Sequence, residues 1–185
     1  MSQLLRIIRI ILLTSALLLL TPWLTSYAYG TSNSAENKTV HIEAAEPSAA
    51  PSATVFGKAI GGVTPGDLFY IDATDNTRDM SVSLYLTNAH ELTPYLRYLI
   101  LEVGIYFEGS DGQWRKPSLQ NGEPVPNTYI TLRNSPVSLI LAGYTRYKVT
   151  VDSGSFYCLT SPANSNNLSP QFYLTVEPAQ MLSSS

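Results

Sequence analysis

The sequence predicts an all-β protein, an antiparallel β-sandwich of about 8–10 strands. Apolar and polar side chains alternate along Met80–Leu86 and again along Leu99–Phe107, as in strands that bury one face. Residues that favour turns separate these runs from further β-branched and aromatic runs. Helix is expected only at the N-terminus, where a hydrophobic signal helix and a disordered linker precede the strands.

The first 30 residues predict a secretory signal peptide. Two arginines precede an apolar run that ends at Pro22. Small residues occupy the positions that a signal peptidase recognises for cleavage after Ala28 or after Gly30. We therefore expect cleavage at one of these two sites and a product that is secreted or held at the cell surface. The alternative is an uncleaved anchor, in which residues 4–24 span the membrane and make the chain's only contact with it.

Composition divides the rest of the chain into a linker, one domain and a tail. Residues 31–53 are rich in Ser, Ala, Asn, Glu and Pro and hold few branched apolar side chains, which predicts a disordered linker. Residues 54–178 carry the alternating runs and are expected to form one β-sandwich domain, large enough to bury a core without disulfides. Residues 179–185 are expected to be a disordered tail.

Six runs in this domain are predicted to be strands, and four turn signals flank them. The strands are Met80–Leu86, Leu99–Phe107, Tyr129–Arg133, Val137–Ala142, Tyr144–Val151 and Gln171–Glu177. The turns are Thr64–Gly66, Gly109–Gly112, Asn134–Pro136 and Asp152–Gly154. The run that ends at Val151 leads directly into the last turn, which favours a hairpin there.

The segment 91–103 fits two structures. Its apolar residues also have helical spacing, and Pro94 is compatible with the first turn of a helix. We favour a loop through Pro94 followed by a strand, because Leu99–Phe107 alternates without interruption and ends at a turn signal.

The run Asp152–Cys158 resembles the Asp-x-Gly-x-Tyr-x-Cys run before and along the sixth strand of immunoglobulin domains, with Phe156 where tyrosine is usual. The resemblance implies that Gln171–Glu177 is the last strand and supports a sandwich of the immunoglobulin-like type; a jelly roll is the other type that fits. The partner cysteine of that family is missing, and the resemblance implies no function, because one fold serves many activities.

Charge and cysteine content narrow the function. The chain has 11 Lys and Arg against 14 Asp and Glu; loss of Arg6 and Arg9 with the leader leaves nine basic residues and a net charge of about −5. Nucleic acid is not an expected partner, because its binding needs clustered cations. Cys158 is the only cysteine, so it cannot form a disulfide within the chain. We expect a small buried hydrophobe there; an exposed thiol that pairs with another chain and a nucleophile are the alternatives.

Little in the sequence indicates catalysis or a cofactor. The two histidines, His41 and His90, lack cysteine or carboxylate partners at zinc-ligand spacing, and no Gly-x-Ser-x-Gly motif is present. We therefore expect neither an enzyme nor a cofactor. A pair of carboxylates for glycoside cleavage stays open, because such pairs meet only in the fold.

The acidic loop of Asp72, Asp75, Asn76 and Asp79 is a weak calcium candidate. It offers several oxygen ligands within a short stretch, but it lacks the glycine and the final glutamate of an EF-hand loop. Asp and Asn between strands more often bond to their own backbone, so a turn is the favoured interpretation.

Aromatic side chains are the most suggestive binding feature. Tyrosines on predicted strands are Tyr70, Tyr85, Tyr98, Tyr106, Tyr144, Tyr147, Tyr157 and Tyr173. Tyr85 and Tyr106 occupy polar positions of alternating runs and Trp114 follows a turn, so these three are the candidates for a binding face. The alternative is that tyrosine simply suits strands.

Taken together, these features predict a non-catalytic binding or assembly protein of the cell surface, structural or adhesin-like. Its expected partner is a protein, a polysaccharide or a second copy of itself. A carbohydrate- or small-ligand-binding module that uses the Tyr and Trp rings is one alternative, and a membrane-anchored accessory protein is another.

Overall fold

The structure, a computed structural model, describes residues 24–25, 27–30, 40–46, 51–53, 60–118, 122–159 and 170–179. Only the backbone is described for residues 24–25, 27–30 and 52–53. The predicted signal helix, part of the predicted linker and the end of the tail lie outside these ranges. Within them, no helix is long and apolar enough to cross a membrane.

The described chain forms thirteen strands and one helical turn. They are β1 (Leu24–Thr25), β2 (Tyr27–Gly30), β3 (His41–Ala44), β4 (Ser52–Ala53), β5 (Ile60–Thr64), β6 (Gly66–Asp72), β7 (Met80–Leu86), α1 (Ala89–Leu92), β8 (Leu96–Glu108), β9 (Trp114–Arg115), β10 (Thr128–Thr131), β11 (Val137–Leu141), β12 (Arg146–Cys158) and β13 (Gln171–Pro178). The all-β prediction is confirmed.

The strands form two sheets, here called the large sheet and the small sheet. The large sheet has nine strands with β12 at its centre: β8 pairs along one edge of β12, and β6 and β5 share the other edge. β3 extends the sheet beyond β6, and β9 and β10 extend it beyond β8. The small sheet has the order β11-β7-β13-β2. Among the described strands every pairing is antiparallel except that of β2 with β13.

One hydrophobic core joins the inner faces of the two sheets. The large sheet contributes Phe69, Ile71, Leu99, Leu101, Val103, Val149, Val151 and Phe156, and the small sheet contributes Met80, Val82, Leu84, Leu86, Phe172, Leu174 and Val176. Full burial of such a side chain contributes about 1.5–3 kcal/mol, so this core dominates stability. Because side chains alternate along a strand, the residues between these point outward, away from the core.

The structure agrees with two of the predicted strands and with the favoured interpretation of the segment 91–103. β7 coincides with Met80–Leu86, and β8 contains Leu99–Phe107. Within 91–103 the chain completes the single turn α1, where Thr93 N and Oγ1 both donate to Ala89 O, and then enters β8 at Leu96. The turn around Pro94 and the following strand are therefore confirmed, while residues 91–92 belong to the helical turn.

The predicted turn at Asp152–Gly154 is wrong. β12 runs through these residues, and its register with β8 shifts between Val151 and Ser153, which is a β-bulge. A bulge takes one extra residue into the strand, so it accommodates residues that otherwise favour turns. The topology also does not support the resemblance to immunoglobulin domains: their sixth and last strands share a sheet, whereas β12 and β13 lie in different sheets.

Part of the predicted linker belongs to the large sheet. β3 pairs with β6, and Val40 is buried in the core. The linker prediction is therefore wrong for residues 40–44, where apolar Val40, Ile42 and Ala44 alternate with polar residues inside a stretch of low apolar content. β2, which falls in the predicted signal segment, pairs with β13; cleavage after Ala28 or Gly30 stays a prediction.

Candidate functional site

The outward side chains of the large sheet form one surface, here called the large-sheet face. Strand register aligns them: Lys148 of β12 lies opposite Tyr70 of β6 on one side and opposite Tyr106 of β8 on the other. Trp114 of β9 lies opposite Glu108 of β8, and its ring meets Tyr70 and Lys148 on the same surface. Four strands therefore bring aromatic and charged side chains to one place.

Near β6, contacts join Asp67, Tyr70, Lys148 and Trp114. The Tyr70 hydroxyl donates to Asp67 Oδ2 over 2.6 Å, and Lys148 Nζ lies 3.3 Å from Asp67 Oδ1. Lys148 Nζ is also 5.4 Å from the centre of the Trp114 ring, a cation–π distance. The ring centroids of Tyr70 and Trp114 are 6.1 Å apart. Lys148 is thus held between a carboxylate and an aromatic ring.

Asp152 is the acceptor at the centre of the large-sheet face. Its Oδ2 accepts hydrogen bonds from the Tyr106 hydroxyl at 2.8 Å and from Asn127 Nδ2 at 2.9 Å, and it lies 3.2 Å from Lys116 Nζ. Its Oδ1 accepts from Thr150 Oγ1. The bulge in β12 places this carboxylate where four donors reach it.

Asn127 connects Lys116 to a second carboxylate. Lys116 Nζ donates to Asn127 Oδ1 over 2.9 Å, and Asn127 Nδ2 donates to Glu102 Oε1 over 3.0 Å. Glu102 also accepts from Ser153 Oγ. Lys116 follows β9 and Asn127 precedes β10, so both come from the ends of an irregular segment rather than from strands.

These contacts set the charge of the carboxylates. Partial burial acts to raise the pKa of Asp152, but hydrogen bonds from Thr150, Tyr106 and other donors outweigh it and hold that pKa below its usual value. Hydrogen bonds, first from Ser153, also lower the pKa of Glu102. Both groups are therefore ionised at neutral pH.

The two phenols respond in the opposite direction. The hydrogen bond to Asp67 is the largest cause that raises the pKa of Tyr70 to about 12. Partial burial, followed by the hydrogen bond to Asp152, raises the pKa of Tyr106 to about 12. Both hydroxyls therefore stay protonated at neutral pH and act as donors to the carboxylates.

A groove of about 300 Å³ opens on this part of the face. Its polar lining includes Asp67, Tyr106, Lys148 and Asp152, and Pro65–Gly66 form part of its wall. The volume is at the lower end of the range for small-ligand sites. Carboxylates and an ammonium group beside a tyrosine ring can hydrogen-bond and pack against a hydroxylated ligand.

The other end of the large-sheet face is apolar. Ile60, Tyr157 and Tyr98 lie side by side across β5, β12 and β8, and the rings of Tyr98 and Tyr157 are 6.3 Å apart. Ile100 and Tyr129 continue towards β10 and are 40% and 50% exposed. We call these five residues the apolar patch; exposed groups of this kind often mark interaction surfaces.

Two of the three sequence candidates for a binding face meet here, and the third does not. Tyr106 and Trp114 both contact Lys148, whose Nζ lies 5.8 Å and 5.4 Å from their ring centres. Tyr85 lies on the small sheet, where its ring centroid is 6.1 Å from that of Tyr173. Cys158 is buried in the core.

The weak calcium candidate takes the geometry of a turn. Asp72 Oδ1 accepts hydrogen bonds from Thr74 N and Oγ1, and Asp72 Oδ2 lies 3.4 Å from Arg146 Nε. Asn76 is buried, and its Nδ2 donates to Arg78 O over 2.7 Å. Among the residues that the structure describes, no three His, Cys, Asp or Glu side chains converge as metal ligands would.

The two histidines lie on different elements of the fold. His41 is on β3, opposite Asp72 in the register with β6. His90 is on α1, where its side chain is 80% exposed and its Nε2 lies 3.7 Å from Glu91. In the part of the chain that the structure describes, neither histidine is among the residues that line the large-sheet groove.

Sequence reasoning missed the charged residues that organise this face. Lys148 and Asp152 could have been identified from the sequence as outward-facing residues, because they occupy polar positions of the alternation along Arg146–Asp152. No sequence pattern identifies Lys116 and Asn127, since they lie outside regular strands and only the fold brings them to Asp152.

Comparison with known proteins adds no family. No protein-family model matches the chain, and no curated protein matches it significantly. A fold by itself does not define an activity, so the geometry of the site is the basis for assigning a function.

Proposed function

We propose that this chain is an exported, non-catalytic β-sandwich protein of the cell surface or extracellular space that acts by binding or assembly. The binding surface in this proposal is the large-sheet face. The observation that carries it is the coexistence on one face of an ordered charged and aromatic cluster, a groove and the exposed apolar patch.

The composition and order of this face suit a contact surface. Tyrosine and tryptophan offer large contact areas at low entropic cost, because each has only two side-chain torsions. The charged side chains are already fixed by their mutual bonds, so little ordering is needed when a partner arrives. Exposed Ile60 and Tyr129 would gain from burial against a partner, which supplies the apolar part of an interface.

A carbohydrate- or small-ligand-binding module is the second candidate, and the groove is the observation that favours it. Lys148 and the two carboxylates Asp67 and Asp152 offer donors and acceptors for hydroxyl groups beside the Tyr106 ring. A membrane-anchored accessory protein is the third candidate, and it depends on retention of residues 4–24.

Binding and assembly are tested with variants on the two faces. Purified protein is incubated with cellulose, chitin or peptidoglycan and the bound fraction is measured, while sedimentation velocity over a wide concentration range measures self-association. We expect Trp114→Ala to weaken polysaccharide binding, and Tyr129→Ala to weaken self-association, by about tenfold. Tyr85→Ala on the small sheet is the control and should bind as the wild type does. Equal losses for all three variants, or no interaction in the wild type, would contradict the proposal.

The two leading candidates separate through the two ends of the face. Lys148→Met in the groove should reduce retention on a polysaccharide and leave self-association unchanged. Ile100→Ser in the apolar patch should reduce self-association and leave polysaccharide retention unchanged.

Export is tested by N-terminal sequencing of the protein from its native host. A terminus at Tyr29 or Thr31 is expected from cleavage after Ala28 or Gly30. A terminus at Met1 on a membrane-bound protein would instead favour the anchored accessory protein.

A further inference from the structure

Three groups that can react with one another lie in mutual contact on the large-sheet face. Lys116 Nζ is 2.9 Å from Asn127 Oδ1 and 3.2 Å from Asp152 Oδ2, and Asn127 Nδ2 is 2.9 Å from the same Asp152 oxygen. An amine, a carboxamide and a carboxylate thus form a closed triangle. The amine is a nucleophile once it loses a proton, the carboxamide carbon is an electrophile, and the carboxylate can move protons between their nitrogens.

The surroundings hold this triangle in place. Glu102 Oε1 accepts a second hydrogen bond from Asn127 Nδ2, and the Tyr106 hydroxyl donates to Asp152. Lys116 Nζ lies 5.5 Å from the centre of the Tyr106 ring, so one side of the amine faces an aromatic surface rather than water. The Lys116 side chain is 35% exposed and that of Asp152 20% exposed, so both groups are partly shielded from solvent.

The backbone also keeps the two reacting residues close. Residues 116–118 and 122–127 lie side by side, because Val125 N donates to Pro117 O over 2.7 Å and Ser118 forms a bridge with Pro124. Its two ends therefore meet without further movement of the strands. Fixed proximity of this kind can replace much of the entropy cost of a reaction between two groups.

We propose that Lys116 and Asn127 join in an intramolecular isopeptide bond, with Asp152 as the group that carries the proton. Asp152 takes a proton from the Lys116 ammonium, and the Nζ lone pair attacks Cγ of Asn127. Asp152 passes this proton to Nδ2 and takes the second proton that Nζ loses as it becomes an amide nitrogen. The Cγ–Nδ2 bond breaks, and the released ammonia takes that second proton and leaves as ammonium. One Nζ–Cγ amide bond forms, no electrons are gained or lost, and no cofactor is needed.

Lys148 shows why the assignment is specific to Lys116. Its described ion-pair partner is the carboxylate of Asp67, and it makes cation–π contacts with Tyr106 and Trp114. No described contact places a carboxamide beside its Nζ. Lys148→Arg is therefore a matched control for Lys116→Arg, because each keeps a positive charge on the same face.

Intact mass spectrometry of the purified full chain tests the proposal. The wild type should be lighter than its sequence mass by one ammonia, and thermolysin, which can cut the chain between Lys116 and Asn127, should leave two fragments joined through these residues. Lys116→Arg and Asp152→Asn should show the full sequence mass, whereas Lys148→Arg should keep the loss. Asn127→Asp should lose one water instead, because the leaving atom is then a carboxylate oxygen.

One other reaction removes ammonia and needs its own control. Asn121 precedes Gly122, and such pairs can form a cyclic imide with loss of ammonia. Asn121→Ala should keep the loss. A wild-type protein at full sequence mass, a loss that disappears in Asn121→Ala, or a loss that survives in Lys116→Arg would each overturn the proposal. Circular dichroism of each variant establishes that it is folded before its mass is compared.

Discussion

The outer faces of the two sheets follow the same alternation but carry different chemistry. The large-sheet face holds charged and aromatic residues in a connected cluster. The small-sheet face consists of Ser81, Ser83, Tyr85, Ser138, Ile140, Tyr173, Thr175 and Glu177. Its side-chain contacts include a hydrogen bond of 2.8 Å between Ser83 Oγ and Ser138 Oγ and the packing of two tyrosine rings.

The difference separates what the fold needs from what a site needs. The small sheet buries Met80, Val82 and Leu84, and Glu177 is the one charged side chain among the eight outer residues named above, so a charged network is not required to fold such a sheet. The cluster around Asp152 is therefore a difference between the two faces that folding of a sheet does not by itself require.

Asp152→Ala should have the largest effect on the large-sheet face. Removal of the carboxylate leaves Lys116, Tyr106 and Asn127 without a shared acceptor in a partly shielded place, so we expect a loss of about 2–3 kcal/mol in the free energy of unfolding. Urea denaturation followed by circular dichroism measures it. Glu177→Ala on the small-sheet face is the control and should stay within about 0.5 kcal/mol. Measurement in a Lys116→Arg background removes any contribution of the isopeptide bond; a loss as small as that of the control would show that the cluster does not stabilise the fold.

Gly104→Ala tests the same carboxylate from the opposite strand, with a smaller expected effect. A Cβ at residue 104 would lie 2.5 Å from Asp152 Oδ2, so Asp152 must turn away from its donors. We expect a loss of about 1–2 kcal/mol, typical of overpacking that a side chain can partly relieve. Thermal denaturation checks it, with Ser81→Ala on the small sheet as control. An unchanged melting temperature would mean that Asp152 moves without cost and is not held by its contacts.

A strand could be predicted from the sequence where the alternation of its own buried residues is enough to define it. Met80–Leu86 alternates without a miss and forms β7 with the same bounds. Asp152–Gly154 could not be predicted in this way, because a turn and a β-bulge favour the same residues and only pairing with β8 distinguishes them. β3 was hidden because its alternation is only four residues long.

The site was predictable only as far as single strands allow. The outward position of Tyr106 follows from the alternation of its own strand, and it does lie on the large-sheet face. The contact of Asp67 with Lys148 depends on the register of β6 with β12, which are far apart in sequence. Tyr85 has the same local pattern as Tyr106 yet lies on the other sheet, since alternation says which residues point outward but not which face they share.

Alkaline titration gives a milder distinction between the faces. The raised pKa of Tyr70 and of Tyr106, each about 12, stabilises the folded state below the unfolded value of 10.0, and this contribution is lost as the pH rises from 10 towards 12. Phenolate absorbance should show tyrosines that ionise only near pH 12. Asp67→Asn should lower the pKa of Tyr70 clearly, because its hydrogen bond is the main cause. Asp152→Asn should lower that of Tyr106 only partly, because burial is the larger cause there. A late ionisation that neither variant moves would contradict these assignments.

The smallest expected effect is on the small-sheet face, and it completes the comparison. Ser83→Ala removes an exposed hydroxyl pair that water can replace, so the free energy of unfolding should change by less than about 0.5 kcal/mol. Thr150→Val on the large-sheet face is the matched test, because Thr150 is 5% exposed and its Oγ1 donates to Asp152. Valine keeps its shape but removes that donor, for an expected loss of about 1 kcal/mol. If Ser83→Ala costs as much as Thr150→Val in urea denaturation, outward hydroxyls stabilise both sheets alike, and the hydrogen bond from Thr150 to Asp152 does not distinguish the two faces.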